Sequence, residues 1–158
     1  MRKEILLLTE QLQDAYEGEP WFGRNVKQLL AEADQENAFI KLNNQHSIVE
    51  LVWHMITWRE FTINCVQKSS ELDLKYFEEL DWREIDHTNQ SLWSEGLKKL
   101  EETQNKLVFL LQEQDDSILE QKVSERNYNY RKLLNGIIQH DIYHLGQIAY
   151  ITKQLKNS

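Results

Sequence analysis

The chain has little that would break or cross-link it: one cysteine, one proline and five glycines in 158 residues. A lone Cys65 excludes an internal disulfide, so the fold has to rest on its core, in keeping with a reducing cytoplasmic setting. With Pro20 the only proline, long stretches run without a helix breaker. Long hydrophobic runs are missing too. The opening "MRKEILLLTEQ" holds only the four-residue run Ile5 to Leu8, too short for a signal-peptide core or a membrane span. Positive charge is scarce: 18 Lys and Arg face 26 Asp and Glu, a formal net charge of -8. That field disfavours nucleic acid and anionic membrane as partners.

What is present is helical periodicity. Apolar residues make up 41% of the chain, enough for one core and a single domain over 1–158. They recur at spacings of three and four. The pattern predicts a first helix over Lys3 to Glu17, with Ile5, Leu8, Leu12 and Ala15 on one face. "GEPWFGRN" breaks it, and Val26, Leu29, Leu30 and Ala33 predict a short continuation. A second helix opens at "HSIVE", where Ser47 as N-cap and Glu50 form a capping box. It runs to about Lys68 with Leu51, His54, Met55, Trp58, Phe61 or Thr62, and Cys65 along its buried stripe. A charged crossover, Ser69 to Asn89, carries Tyr76, Phe77 and Trp82. The third helix, from Ser91 to about Gln114, presents Trp93, Leu97, Leu100, Leu107, Leu110 and Leu111. The fourth, Tyr130 to Lys156, is buried along Leu133, Ile137, His140, His144, Ile148 and Ile151. No strand pattern competes, so the expected fold is all-α, a four-helix bundle with one long crossover connection.

Within "IIQHDIYHLGQIAY" the string HDIYH resembles the zinc-protease motif HExxH. His140 and His144 lie one turn apart on one face and can share an ion. They are equally open to reading as core histidines held by hydrogen bonds. The protease reading fails on the rest of the chain: "LGQIAYITKQLKNS" after His144 has no Asp, Glu, His or Cys. Asp141 is turned about 100° from His140, poorly placed as a base on the same ion. A third ligand must come from upstream, and His54 is the candidate, a polar ring on the apolar stripe of the second helix. Three imidazoles could cap one face of an ion and leave positions open for water or substrate; the alternative for His54 is a hydrogen bond to a backbone carbonyl. Cys65 faces the same way but lies about 16 Å along the helix, and a small buried residue is its expected role. His46 and His87 are expected as solvated loop histidines. A di-iron carboxylate bundle would need paired ExxH motifs, and the chain offers only Glu84 to His87, in the crossover.

Taken together, "HSIVELVWHMITWREF" and "NGIIQHDIYHLGQIAYI" resemble the DinB-like, YfiT-type proteins. The resemblance runs from "EPWFGRNVKQLL" to "ITKQL". It implies a four-helix bundle with a long crossover, a divalent transition metal, nickel or zinc, held by His54, His140 and His144, and a homodimer. It further implies a metal-dependent enzyme acting on a small molecule, as a transferase using a low-molecular-weight thiol or as a hydrolase. The alternative is a non-catalytic bundle that binds a small ligand or partner subunit as a dimer. The sequence departs from the family pattern in the loop "FIKLNNQHS", which lacks the usual Pro and Gly, and at Arg83 after "DW", where proline is common. Around the site, Gln147 is expected to bond a ligand or substrate or merely to pack; Glu50, one turn before His54, is explained by its capping role, with contact to the site or a bound water as the alternative. Trp58 and Tyr143, with Trp21, Trp82 and Tyr130, are candidates to wall a pocket or to pack in the core. Gly146 is expected to let a neighbouring helix approach closely, and Trp53 to face a dimer surface.

Overall fold

A computed structural model describes residues 1–158 as seven α-helices, with no strand beyond an isolated bridge between Lys122 and Asn129. The helices are α1 (Lys3–Glu17), α2 (Val26–Glu32), α3 (Gln35–Ala38), α4 (Ile48–Val66), α5 (Leu74–Glu79), α6 (Ser91–Gln112) and α7 (Tyr130–Lys156), with a 3-10 turn at Asp116–Glu120. The four long helices follow the predicted ones, α4 ending at Val66 and α6 at Gln112. Local chemistry starts them. Ser47 Oγ accepts from the Glu50 amide at 3.3 Å and the Glu50 carboxylate accepts from the Ser47 amide at 2.7 Å. Asn25 and Gln28 form the same reciprocal box on α2, and Asn129 Oδ1 caps α7 through the Lys132 amide at 3.0 Å. Each such cap is worth about 1 kcal/mol.

The long helices pack in the ring α1, α6, α4, α7. Their buried apolar residues fall into two separate clusters rather than one. Along α4 the first cluster ends at Ile56 and the second begins at Phe61; along α6 the change falls between Leu100 and Leu107. On α7 and α1 the order is reversed: Ile138 belongs to the second cluster and Leu145 to the first, Leu12 to the second and Tyr16 to the first. Adjacent α4 and α6 therefore run parallel, which is why the chain needs the crossover 67–90 to return to the starting end. The short helix α5 lies within that crossover.

Between the two cores lies a belt of buried polar side chains: Thr57 and Arg59 from α4, Thr103 and Gln104 from α6, Asp141 and His144 from α7. Arg59 donates to Asp141 Oδ2 from Nε at 3.0 Å and from Nη2 at 2.6 Å, and to Gln104 Oε1 from Nη1 at 2.8 Å. A charge this deep needs such partners, because transferring it unpaired from water is prohibitive.

Three expectations are corrected here. Trp53 is buried against α6, its indole N–H donating to the Leu92 carbonyl at 3.1 Å and its ring closing on Gly96. It is a core residue because α4 packs against both α6 and α7 and buries nearly its whole circumference. Gly146 is exposed, with no atom within 4 Å of the place a Cβ would occupy, so no helix approaches it. Trp21 stands fully exposed, neither packed in the core nor walling a pocket, whereas Tyr130 takes the core role, buried with its hydroxyl donating to the Cys65 carbonyl at 2.6 Å.

Candidate metal centre

His54 of α4 meets His140 and His144 of α7 at the edge of the polar belt. Nε2 of His140 lies 3.0 Å from Nε2 of His54 and 3.1 Å from Nε2 of His144. The three imidazoles together form a group that could hold one ion.

The outer nitrogens determine which way two of the rings carry their protons. His54 Nδ1 lies 2.9 Å from the Asp81 carbonyl and 3.0 Å from the Asp81 carboxylate, both acceptors, so it carries the hydrogen. His144 Nδ1 donates to Gln147 Oε1 at 2.6 Å. Each ring thereby turns an Nε2 lone pair inward, the tautomer that ligation requires. His140 Nδ1 is buried with no partner. If His140 carries its proton on Nε2, that buried Nδ1 is a lone pair without a donor. If it carries the proton on Nδ1, three lone pairs face one another. The second state is repulsive for the protein by itself and is the one a cation stabilises. Two nitrogens each about 2.1 Å from one ion stand about 3.0 Å apart at a right angle and about 3.4 Å at the tetrahedral angle. The spacing around His140 fits a shared ion.

Electrostatics point the same way. Burial, reinforced by the two neighbouring imidazoles, lowers the His140 pKa to about 3. Burial also lowers His54, opposed by Asp81, and His144, opposed by its bond to Gln147. All three rings are neutral at neutral pH, the form that binds metal.

Around this group the crossover closes one side. Trp82 stacks on His54 at 3.8 Å and on the opposite face against His46 at 3.7 Å. His46 is an exposed loop histidine, as expected, and also one outer layer of this aromatic stack. His87, in contrast, is half-buried, edge-on to Phe39 at 6.2 Å. Trp58 donates its indole N–H to Asp81 Oδ1 at 2.7 Å, and Tyr143, largely exposed, sets its ring edge-on to His144 at 5.1 Å. The Glu50 carboxylate is taken up by Ser47 and by Lys41 at 2.8 Å, and reaches the group only through His46, 3.8 Å away.

Sequence reasoning missed Asp81 and Arg59. Asp81 comes from the crossover, 27 residues from His54, and its only local sign is its place beside Trp82. Arg59 had a clearer one, a cation within the largely apolar helix segment "IVELVWHMITWREFTINCV". Asp141 is engaged by Arg59, and Cys65 is buried in the second cluster, its thiol pushed up to about 11 by burial.

No curated protein and no solved structure matches the chain. The DinB family model does, over residues 11–155, a span that runs from within α1 almost to the end of α7 and takes in all three converging histidines. On that match, the chain belongs to the DinB family.

Proposed function

We propose that this protein is a metal-dependent enzyme in which His54, His140 and His144 hold a divalent transition metal, nickel or zinc. It acts on a small molecule, as a thiol-dependent transferase or a hydrolase. The observation that carries the proposal is the convergence of three Nε2 atoms, two of them aimed inward by acceptors behind the ring. A bound ion would supply Lewis acidity, bringing the pKa of water or a thiol toward neutrality and polarising a carbonyl.

The chain's own groups would do the rest. Asp81 and Gln147 orient the rings of His54 and His144. Trp82 excludes water from the outer face of His54, and burial keeps all three imidazoles unprotonated. Asp141, already paired with Arg59, is withheld from proton transfer. The protein would work as a cytoplasmic homodimer, away from nucleic acid and membrane. The lone cysteine and the -8 charge favour that setting, and no helix is long and apolar enough to cross a membrane.

Elemental analysis of tag-free protein tests the reading, beside a folded His54→Ala/His140→Ala/His144→Ala variant. About one nickel or zinc ion per chain, lost in the variant, supports it. Absence of metal, with no uptake from added zinc or nickel, overturns it and leaves a binding bundle. Thiol conjugation and ester hydrolysis, assayed with the loaded protein, then separate transferase from hydrolase, and sedimentation gives the subunit number.

A further inference from the structure

Two open cavities flank the histidine group. The larger, about 540 Å3, is lined by His46, Tyr143 and Gln147 but by none of the three converging imidazoles. The smaller, about 280 Å3, has His140 itself in its wall, and with it Trp58, Phe61, Tyr128, Arg126 and Lys132. In a chain of net charge -8, this wall holds two cations and no carboxylate.

The two cations are held in place without being neutralised. The Arg126 guanidinium lies 5.4 Å from the centre of the Phe61 ring and 5.9 Å from that of Tyr128, and Lys132 Nζ lies 5.9 Å from Tyr128. Arg126 Nε is buried with no partner. Neighbouring charges are engaged elsewhere: Arg131 pairs with Glu4 and Glu120, and Glu125 accepts from the Leu74 amide. Aromatic faces position a cation but leave its charge and most of its donors available to a ligand.

We propose that this cavity binds a small organic carboxylate, its charged end at Arg126 and Lys132 and its apolar body along Phe61 and Trp58, extending toward His140. Lys132 and His140 stand eight residues apart on α7, about 12 Å along the axis, which sets the reach of the ligand. The assignment rests on the metal-enzyme reading and deepens it by naming the substrate class. Gly136 lies between the two residues on α7 and lines the same cavity, with no atom within 4 Å of a built Cβ. A larger side chain there would occupy the ligand's space without clashing at its root.

Titration calorimetry on the metal-loaded full chain tests this with phenylbutyrate and its neutral counterpart, phenylbutanamide. The acid is expected to bind about tenfold more tightly than the amide, the effect of a charge-assisted hydrogen bond. Arg126→Met/Lys132→Met should remove that preference, and Gly136→Leu should abolish binding of both, with metal content unchanged in each variant. Equal binding of acid and amide, no binding of either, or a preference that survives in Arg126→Met/Lys132→Met would overturn the assignment. The last result would place the carboxylate elsewhere, on the ion. Metal content is read separately: metal present without the preference overturns the cavity alone. The preference without metal overturns the enzyme reading and leaves the cavity standing.

Discussion

Removing the guanidinium of Arg59 probes the polar belt that divides the core. Arg59 is 1% exposed and Asp141 2%, so neither charge can turn to water for relief. Arg59→Met keeps most of the stem's packing and strands two groups. One is the Asp141 carboxylate, whose Oδ1 already lacks a partner. The other is Gln104 Oε1, which loses its 2.8 Å donor. Breaking a buried pair from one side costs about 3–5 kcal/mol, and the orphaned amide oxygen adds about 1 kcal/mol. The expected loss is then about 4–6 kcal/mol, out of a total of about 5–15 kcal/mol for a domain. Arg59→Met/Asp141→Leu removes both charges, and only Gln104 is stranded, so it should lie within about 2 kcal/mol of the parent. Urea denaturation of metal-free protein, followed by circular dichroism, gives both values. There is a pH signature as well. Burial raises the Asp141 carboxyl and Arg59 pulls it back, so without Arg59 the folded-state pKa rises further. A carboxyl raised on folding binds its proton more tightly in the native state, so stability is gained as the pH falls. The Arg59→Met penalty should therefore shrink between about pH 8 and about pH 5. A loss under about 1 kcal/mol, or a double variant less stable than the single one, would refute the reasoning.

Other expectations concern the histidine group and its surroundings. Gln147→Leu should weaken zinc or nickel binding about tenfold or more by freeing the His144 ring, and unchanged affinity in a competitive chelator titration would contradict the role given to that bond. The metal-free protein should have its full histidine-linked stability above about pH 6.5 and lose it as the pH drops toward the lowered native values, about 3 for His140. His140→Phe should flatten a plot of Tm against pH, and identical slopes would count against a buried neutral ring. Cys65, its thiol pushed up to about 11, should resist alkylation at neutral pH until the chain unfolds; rapid labelling of native protein would show otherwise. Gly146→Ala, in open space, should stabilise by up to about 1 kcal/mol. Gly96→Leu, meeting Trp53 and Val52 within 3.4 Å, should cost about 1–3 kcal/mol.

How far the site could be read from the chain differs from residue to residue. Ser47 and Glu50 announce the start of α4 because a capping box is a contact between near neighbours. Polar rings on apolar stripes mark His54, His140 and His144, since helical repeat alone places those side chains inward. Trp53 misleads because an amphipathic reading assumes one buried face, whereas α4 is wrapped by both α6 and α7. Asp81 leaves no readable pattern, because its contact with His54 depends on where the crossover comes back over the bundle.

The sequence by itself determined the four long helices, the cap that starts α4, the family, and the three polar residues that had to find partners inside. Those follow from contacts within a turn or two, governed by backbone geometry. Only the tertiary structure decided that α4 and α6 run parallel, that the core is two clusters divided by the Arg59–Asp141 belt, and that His140 opens on a cationic cavity. Each depends on how separate helices register against one another, and that register is set by packing summed over the whole molecule rather than by any stretch of chain.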